Sequence, residues 1–199
     1  MAVNMMWVYM ATGFTGAWTL LFLIRHGCRK MGWIASHAVL FSPKGGCQDA
    51  ILKEIKAARR EILVQAYSFT SEPLTHGLID AKKRGVHVEV ILDKSNEVER
   101  YSDLHLFMEQ GLPPLIDAHH PIAHNKIMVI DKKTIVTGSF NFTNQAELEN
   151  AENLLILKGN PDLVKVYRDN FFAHKTHSKA AEVKAPVENN RGGGAKKAA

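Results

Sequence analysis

Between residues 39 and 174, short apolar runs alternate with stretches whose apolar residues recur at helical spacing, which restricts the chain to layered α/β architectures. Val39–Phe41 reads as the end of a strand and Ser42–Gly46 as a turn, followed by a helix whose apolar face is Ile51, Leu52, Ile55 and Ala58. A strand over Ile62–Phe69 leads to a helix over Pro73–Arg84. Pro73 near its start and Gly85 past its end are the usual helix punctuation. Val86–Leu92 reads as a strand, Asn96–Gln110 as one helix, and the region of Leu115 as a short strand. Two further strands, Lys126–Ile130 and Thr134–Thr137, flank a turn at Asp131-Lys132-Lys133, and a strand at Asn153–Leu157 precedes a helix over Pro161–His174.

Ahead of this region lies an uncharged run of twenty residues, Met5–Ile24. As a helix it would span about 30 Å, the thickness of a bilayer's hydrocarbon core. Trp7, Tyr9 and Trp18 lie toward its ends, and Arg25, Arg29 and Lys30 follow it. Positive flanks face the cytoplasm, so the reading is a single-pass membrane anchor with the N-terminus outside and the remainder cytoplasmic. The alternative is export through a cleaved signal peptide, but such peptides carry their positive charges before the apolar run. From Thr176 the composition turns to Lys, Ala, Asn and Gly, which reads as a disordered tail. The expected organisation is therefore residues 1–35 as anchor and basic flank, 36–175 as the folded domain and 176–199 as tail.

The formal charge of +5 belongs to the two ends. Residues 1–35 and 176–199 hold eight basic against two acidic side chains, and residues 36–175 hold 17 against 18, a net of −1. Basicity is thus no argument that the domain grips a polyanion over many phosphates. Two cysteines make neither a disulfide framework nor a zinc motif.

The stretch from residue 124 to 152, HNKIMVIDKKTIVTGSFNFTNQAELENAE, holds His124, Lys126, Asp131, Gly138, Ser139, Asn141 and Glu152. On a strand, His124 and Lys126 share one face, while Asp131, an odd number of residues away, faces the other. An imidazole and an ammonium on one face suit an anionic reacting group. Asp131 is better placed to brace the turn.

The spacing H-x-K-x4-D-x6-G-S-x-N resembles the signature of the phospholipase D superfamily, in particular its small single-motif nucleases. The likeness extends over residues 37–175, including FSPKGG, ILVQAYSFTS and LIDAKKRGV. It implies an α/β fold with a central mixed β-sheet flanked by helices, here preceded by one transmembrane helix. It also implies that His124 attacks phosphorus to form a phosphohistidine, with Lys126, Ser139 and Asn141 holding the phosphate oxygens and Glu152 orienting the histidine. Gly138 would permit close backbone approach, and Asp131 would be structural. One motif per chain implies a homodimer whose two His124 side chains meet in a shared site. The resemblance implies no metal or other cofactor. Nucleic acid is the expected substrate, phospholipid the alternative, and a non-catalytic membrane-tethered polyanion-binding module the second alternative.

Single residues carry plainer readings. His124 alone would be one of ten histidines, and Lys126 an edge lysine; their joint occurrence with the other motif positions argues for a site. His119 and His120 are adjacent, so an extended backbone would point them to opposite faces, and no metal site is expected of the pair. Ser139 lacks the G-x-S-x-G setting of a serine hydrolase. Lys82, Lys83 and Arg84 read as a solvated helix end, Lys132 and Lys133 as turn residues, and Tyr67, Ser68 and Phe69 as a strand end able to touch substrate.

Overall fold

The computed structural model describes residues 15–28, 34–99 and 102–182. Helix α1 (residues 15–28) leads to β1 (Ser36–Phe41), α2 (Cys47–Ala57), β2 (Glu61–Ala66), α3 (Glu72–Lys83) and β3 (His87–Asp93). A 3-10 turn at Lys94–Glu97 and α4 (Leu104–Glu109) precede β4 (Leu115–Asp117), β5 (Lys126–Ile130) and β6 (Thr134–Gly138). The chain closes with α5 (Asn144–Leu148), β7 (Asn153–Lys158), α6 (Pro161–His177) and β8 (Lys179–Ala180).

The eight strands form one sheet in the order β1-β7-β6-β5-β2-β3-β4-β8. It is mixed: β2, β3 and β4 run parallel, and every other pairing is antiparallel. Alternation along the strands divides the core. Ile62, Val64, Val88, Val90, Met128 and Ile130 pack with α2, α3 and α4 on one face. Leu63, Ile91, Ile127 and Val129 pack with Val164 and Phe171 of α6 on the other. Both faces are covered, as the near-continuous apolar runs of the central strands require.

Helix punctuation matches the sequence where the chemistry is local. Pro73 opens α3. Gly85, at φ 89°, closes it, with the Gly85 amide bonding the Lys82 carbonyl and the Val86 amide the Ala81 carbonyl, a left-handed cap that a side chain would strain. Asn160 caps α6 by accepting the Leu163 amide at 3.0 Å.

Three elements differ from the sequence reading. The single helix expected over 96–110 is a 3-10 turn and the shorter α4. Asn96 is buried there, donating to the carbonyls of Tyr67 (2.6 Å) and Asp93 (3.0 Å), and its oxygen accepts from Ser102. Side-chain bonds to backbone compete with helix in this way. β2 stops at Ala66, three residues early, because Phe69 turns aside to bridge Phe142, its ring edge-on to Phe107 and tilted against Phe142 with centroids 5.2 and 5.4 Å away. The ordered fold also runs past residue 175: α6 reaches His177, and β8 pairs with β4.

Much of the uncharged run Met5–Ile24 lies outside the described residues, as does the tail from residue 183. The described segment 15–28 is helical, with Trp18 and residues 20–24 exposed. Among the described residues no helix is long and apolar enough to cross a membrane.

Candidate active site

All the motif residues but Asp131 lie where β5 begins and β6 ends, beside the C-terminal end of β2 and the N-terminal end of β7. The antiparallel register makes this so, pairing Lys126 with Ala66 and Gly138 with Leu154. Residues far apart in sequence thereby share one end of the sheet.

His124 precedes β5 and is exposed, its ring packed on Tyr67 with centroids 4.5 Å apart. Lys126 is only 6% exposed. Its Nζ donates to the His124 carbonyl at 3.0 Å and lies 5.0 Å from the Tyr67 ring centroid, leaving two of its three protons for another acceptor. Burial lowers the Lys126 pKa from its ordinary value, and the nearby charge of Glu152 opposes that shift. Tyr67, read from sequence only as a possible substrate contact, is the wall that orients both side chains.

Gly138 has φ 146°, and a Cβ there would lie 2.2 Å from the Asn153 carbonyl oxygen. No side chain fits without displacing β7. The Ser139 hydroxyl accepts from the Asn153 amide at 3.1 Å and from Asn153 Nδ2 at 3.3 Å, so its own proton remains available to an incoming acceptor. Asn141 Oδ1 is buried without a hydrogen-bond partner, the one such side-chain atom among the described residues. Buried polar atoms are normally paired, so an orphan at this position marks a group whose bonding is completed by something else.

Glu152 sits differently from the role its motif position implies. Its carboxylate accepts from Asn150 Nδ2 at 3.2 Å, and its backbone is tied to Ser42 on both sides. Among the described residues no hydrogen bond joins it to the His124 ring; its reach into the site is through charge, toward Lys126.

Asp131 stands apart, at the far end of β5. Its carboxylate accepts the amides of Arg59 (2.9 Å), Arg60 (2.7 Å) and Glu61 (3.0 Å), tying the α2–β2 connection to the β5–β6 turn. The brace read from the odd spacing is therefore a three-amide clamp. Asp131→Ala is expected to cost about 1–3 kcal/mol of stability, as loss of hydrogen bonds to a charged group does. Turnover below the melting temperature should be unchanged; denaturant titration and initial rates together check this.

A cleft of about 360 Å³ lies beside His124, lined also by Asn125, Lys126, Gly138, Tyr167 and Asn170. Ser139, Asn141 and Glu152 do not line it. A larger cavity of about 540 Å³, beside Asp131 and Lys133, includes none of the residues to which the motif assigns chemistry. Sequence reasoning also missed Glu147, whose two carboxylate oxygens accept the Gly46 and Gln48 amides at 3.0 and 2.8 Å and so cap α2 from 99 residues away. An anion at a helix N-terminus is favourable there, but nothing local in the sequence pairs the two.

Comparison with known proteins bears on the family and the fold. The family described as "Cardiolipin synthase, PLD-like domain" matches residues 51–175. The phospholipase D of Rickettsia prowazekii is 40% identical over 140 residues, 70% of this chain and 68% of that protein. The mitochondrial cardiolipin hydrolase of Canis lupus familiaris is 31% identical over 139 residues, which span 54% of it. Among solved structures, the phospholipase D family member Nuc from Salmonella typhimurium superposes with a TM-score of 0.71 at 32% identity, covering 75% of this chain and 99% of that one. NucT from Helicobacter pylori shares the fold, with a TM-score of 0.67 at 18% identity. The chain thus belongs to the phospholipase D superfamily of phosphodiester hydrolases.

Proposed function

We propose that this phosphodiesterase cleaves nucleic acid, without a metal in its chemistry, through a phosphohistidine on His124. The observation that carries the reading is the pair of unspent Lys126 protons beside an exposed imidazole, with the free hydroxyl proton of Ser139 at the same end of the sheet. These are groups that stabilise a trigonal-bipyramidal phosphorane without a divalent ion.

In the first step a His124 ring nitrogen attacks phosphorus as the bond to the leaving oxygen breaks, and a second imidazole delivers the proton that the leaving oxygen needs. A single chain supplies one such histidine, so the second is His124 of the partner subunit in a homodimer. In the second step water attacks the phosphohistidine, its proton passing to the imidazole that has just given one up. The phosphorus–nitrogen bond breaks and the starting state returns. Lys126 must be charged throughout, because negative charge peaks on the non-bridging oxygens in both transition states.

Nucleic acid is favoured because one compact copy of the motif sits on an open rim, where His124 is accessible to a polymer. Phospholipid is the second reading. It is favoured by the names of the Rickettsia and mitochondrial relatives and by the uncharged run Met5–Ile24, which as a membrane anchor would hold the domain at a bilayer surface, on its cytoplasmic side by the positive-flank rule.

The test is the full chain in detergent, given single- and double-stranded nucleic acid and phospholipid vesicles in parallel, with EDTA present, at a temperature where circular dichroism shows the chelated protein folded. Hydrolysis of nucleic acid at an undiminished rate is expected. Hydrolysis confined to the vesicles would overturn the substrate assignment, and loss of activity in EDTA with the fold intact would overturn the metal-independent chemistry.

A further inference from the structure

Away from His124, three imidazoles and one backbone amide surround one carboxylate. Asp117, at the end of β4, is fully buried. Its Oδ2 lies 2.6 Å from His174 Nδ1, 3.2 Å from His120 Nδ1 and 3.3 Å from His177 Nε2. Its Oδ1 takes the His119 amide at 3.1 Å and a second approach from His120 Nδ1 at 3.3 Å. A carboxylate oxygen offers about two lone-pair sites. Three ring nitrogens crowd Oδ2, and His120 Nδ1 is shared with Oδ1, so four donors meet the four lone-pair sites of one buried carboxylate. The same crowding lets each nitrogen lone pair and a carboxylate oxygen point at one shared centre, as a bound cation requires.

We propose that Asp117, His120, His174 and His177 form a binding site for a divalent transition-metal ion of the zinc class. One ligand atom from each residue lies within 4.8 Å of all the others. Ligands about 2.0–2.1 Å from zinc in a tetrahedron are about 3.4 Å from one another, so the observed spread, from 2.6 Å upward, brackets the required one. Three imidazole nitrogens and one carboxylate oxygen suit zinc, and are poor ligands for calcium or magnesium, which take oxygen.

The chain builds the set from two pairs. Asp117 and His120 come from the end of β4 and the turn after it; His174 and His177 are three apart on α6 and so share a helix face. Side-chain exposure rises from 16% at His174 through 27% at His177 to 41% at His120, giving a closed inner side and a solvent path on the outer one. Supporting contacts are present: the His119 ring stacks on His177 at 4.6 Å, and Lys94 Nζ holds the His120 carbonyl at 3.1 Å. Such surroundings orient metal-ligating imidazoles.

The site's consequence is architectural. The segment from residue 118 to 125 joins β4 to β5 and carries His124 near its end, with Ala123 held at 2.7 Å by Asp93. A metal bound to His120, His174 and His177 pins that segment to the C-terminal end of α6. It touches none of the atoms assigned to the phosphodiester chemistry, so it acts on stability and loop position.

Co²⁺ is the direct probe. The full chain in detergent, stripped with EDTA and dialysed, is titrated with Co²⁺ and then with Zn²⁺. Expected are visible d–d bands of four-coordinate Co²⁺ saturating at one equivalent per chain, their loss on adding Zn²⁺, and a rise in Tm with either metal. His174→Gln with His177→Gln should weaken binding by more than about 100-fold. His120→Gln alone, at the most exposed ligand, should weaken it by at least about tenfold and serves if the double variant fails to fold. His105→Gln, on the exposed side of α4, should leave it unchanged. Absence of a saturable spectrum, or a spectrum retained in folded ligand variants, overturns the site. Neither outcome bears on the phosphodiester chemistry, which is read in EDTA.

Discussion

His124→Asn is expected to lower phosphodiester turnover by on the order of 10⁴-fold or more, because it removes the atom that forms the covalent bond in the proposed mechanism. Asparagine keeps the polarity and approximate volume of an exposed side chain, so stability should be nearly unaffected. A shared site makes a second consequence. If each reaction needs one His124 as nucleophile and another as proton donor, a dimer with one substituted subunit is inactive. Random association of equal amounts then leaves about a quarter of the activity in place of half. Co-expression or slow subunit exchange, followed by initial rates, distinguishes the two. A preparation that remains half active would mean that each chain works alone.

Lys126→Met should reduce kcat/KM by about 10²–10³-fold, the usual cost of removing one donor aimed at developing negative charge in a site shielded from water. Burial strengthens the argument, since the ammonium is desolvated before substrate arrives and its field is less screened. The same burial predicts a pH effect of definite sign. The folded protein lowers the lysine pKa from its ordinary 10.5, and the proposed mechanism uses the charged form, so activity should fall on the alkaline side before pH 10.5 is reached. Lys126→Arg keeps its charge through that range and should move the decline to higher pH, at a lower overall rate, because the guanidinium's planar fork replaces a point charge. An alkaline limb identical in wild type and Lys126→Arg would assign it to another group.

What was legible in the sequence was what is decided locally. Pro73 and Gly85 delimit α3 because φ preferences act within a turn, and strand alternation sorts Met128 from Val129 onto opposite faces. The separation of Asp131 from His124 and Lys126 follows from the same alternation, and the structure gives Asp131 three amides to hold at the far end of the strand. What was not legible depends on contacts between distant segments. Asn96 breaks the expected helix because the Tyr67 carbonyl happens to lie within its reach. Glu147 caps a helix whose sequence contains no sign of it.

His119 and His120 show the same limit. Taken as an extended pair they face opposite ways, but the backbone turns after Asp117, and α6 brings His174 and His177 from more than fifty residues away. Asp117 with His120, and His174 with His177, each stand three residues apart in the chain, and only the packing of α6 on the sheet unites the two pairs. Glu152 is instructive in the other direction. Its motif position suggests a bond to the His124 ring, and in the single chain its carboxylate is engaged with Asn150.

The central claim is that the reaction passes through a covalent bond between phosphorus and His124. Acid is the wrong quench for a phosphoramidate, so single turnovers of the full chain should be stopped in alkaline denaturant and analysed by intact-mass and peptide spectrometry. The account predicts a transient adduct on the His124 peptide that is stable in base, is lost in acid and is absent from His124→Asn. Turnover with no adduct at any time, or an adduct on Ser139, would contradict it.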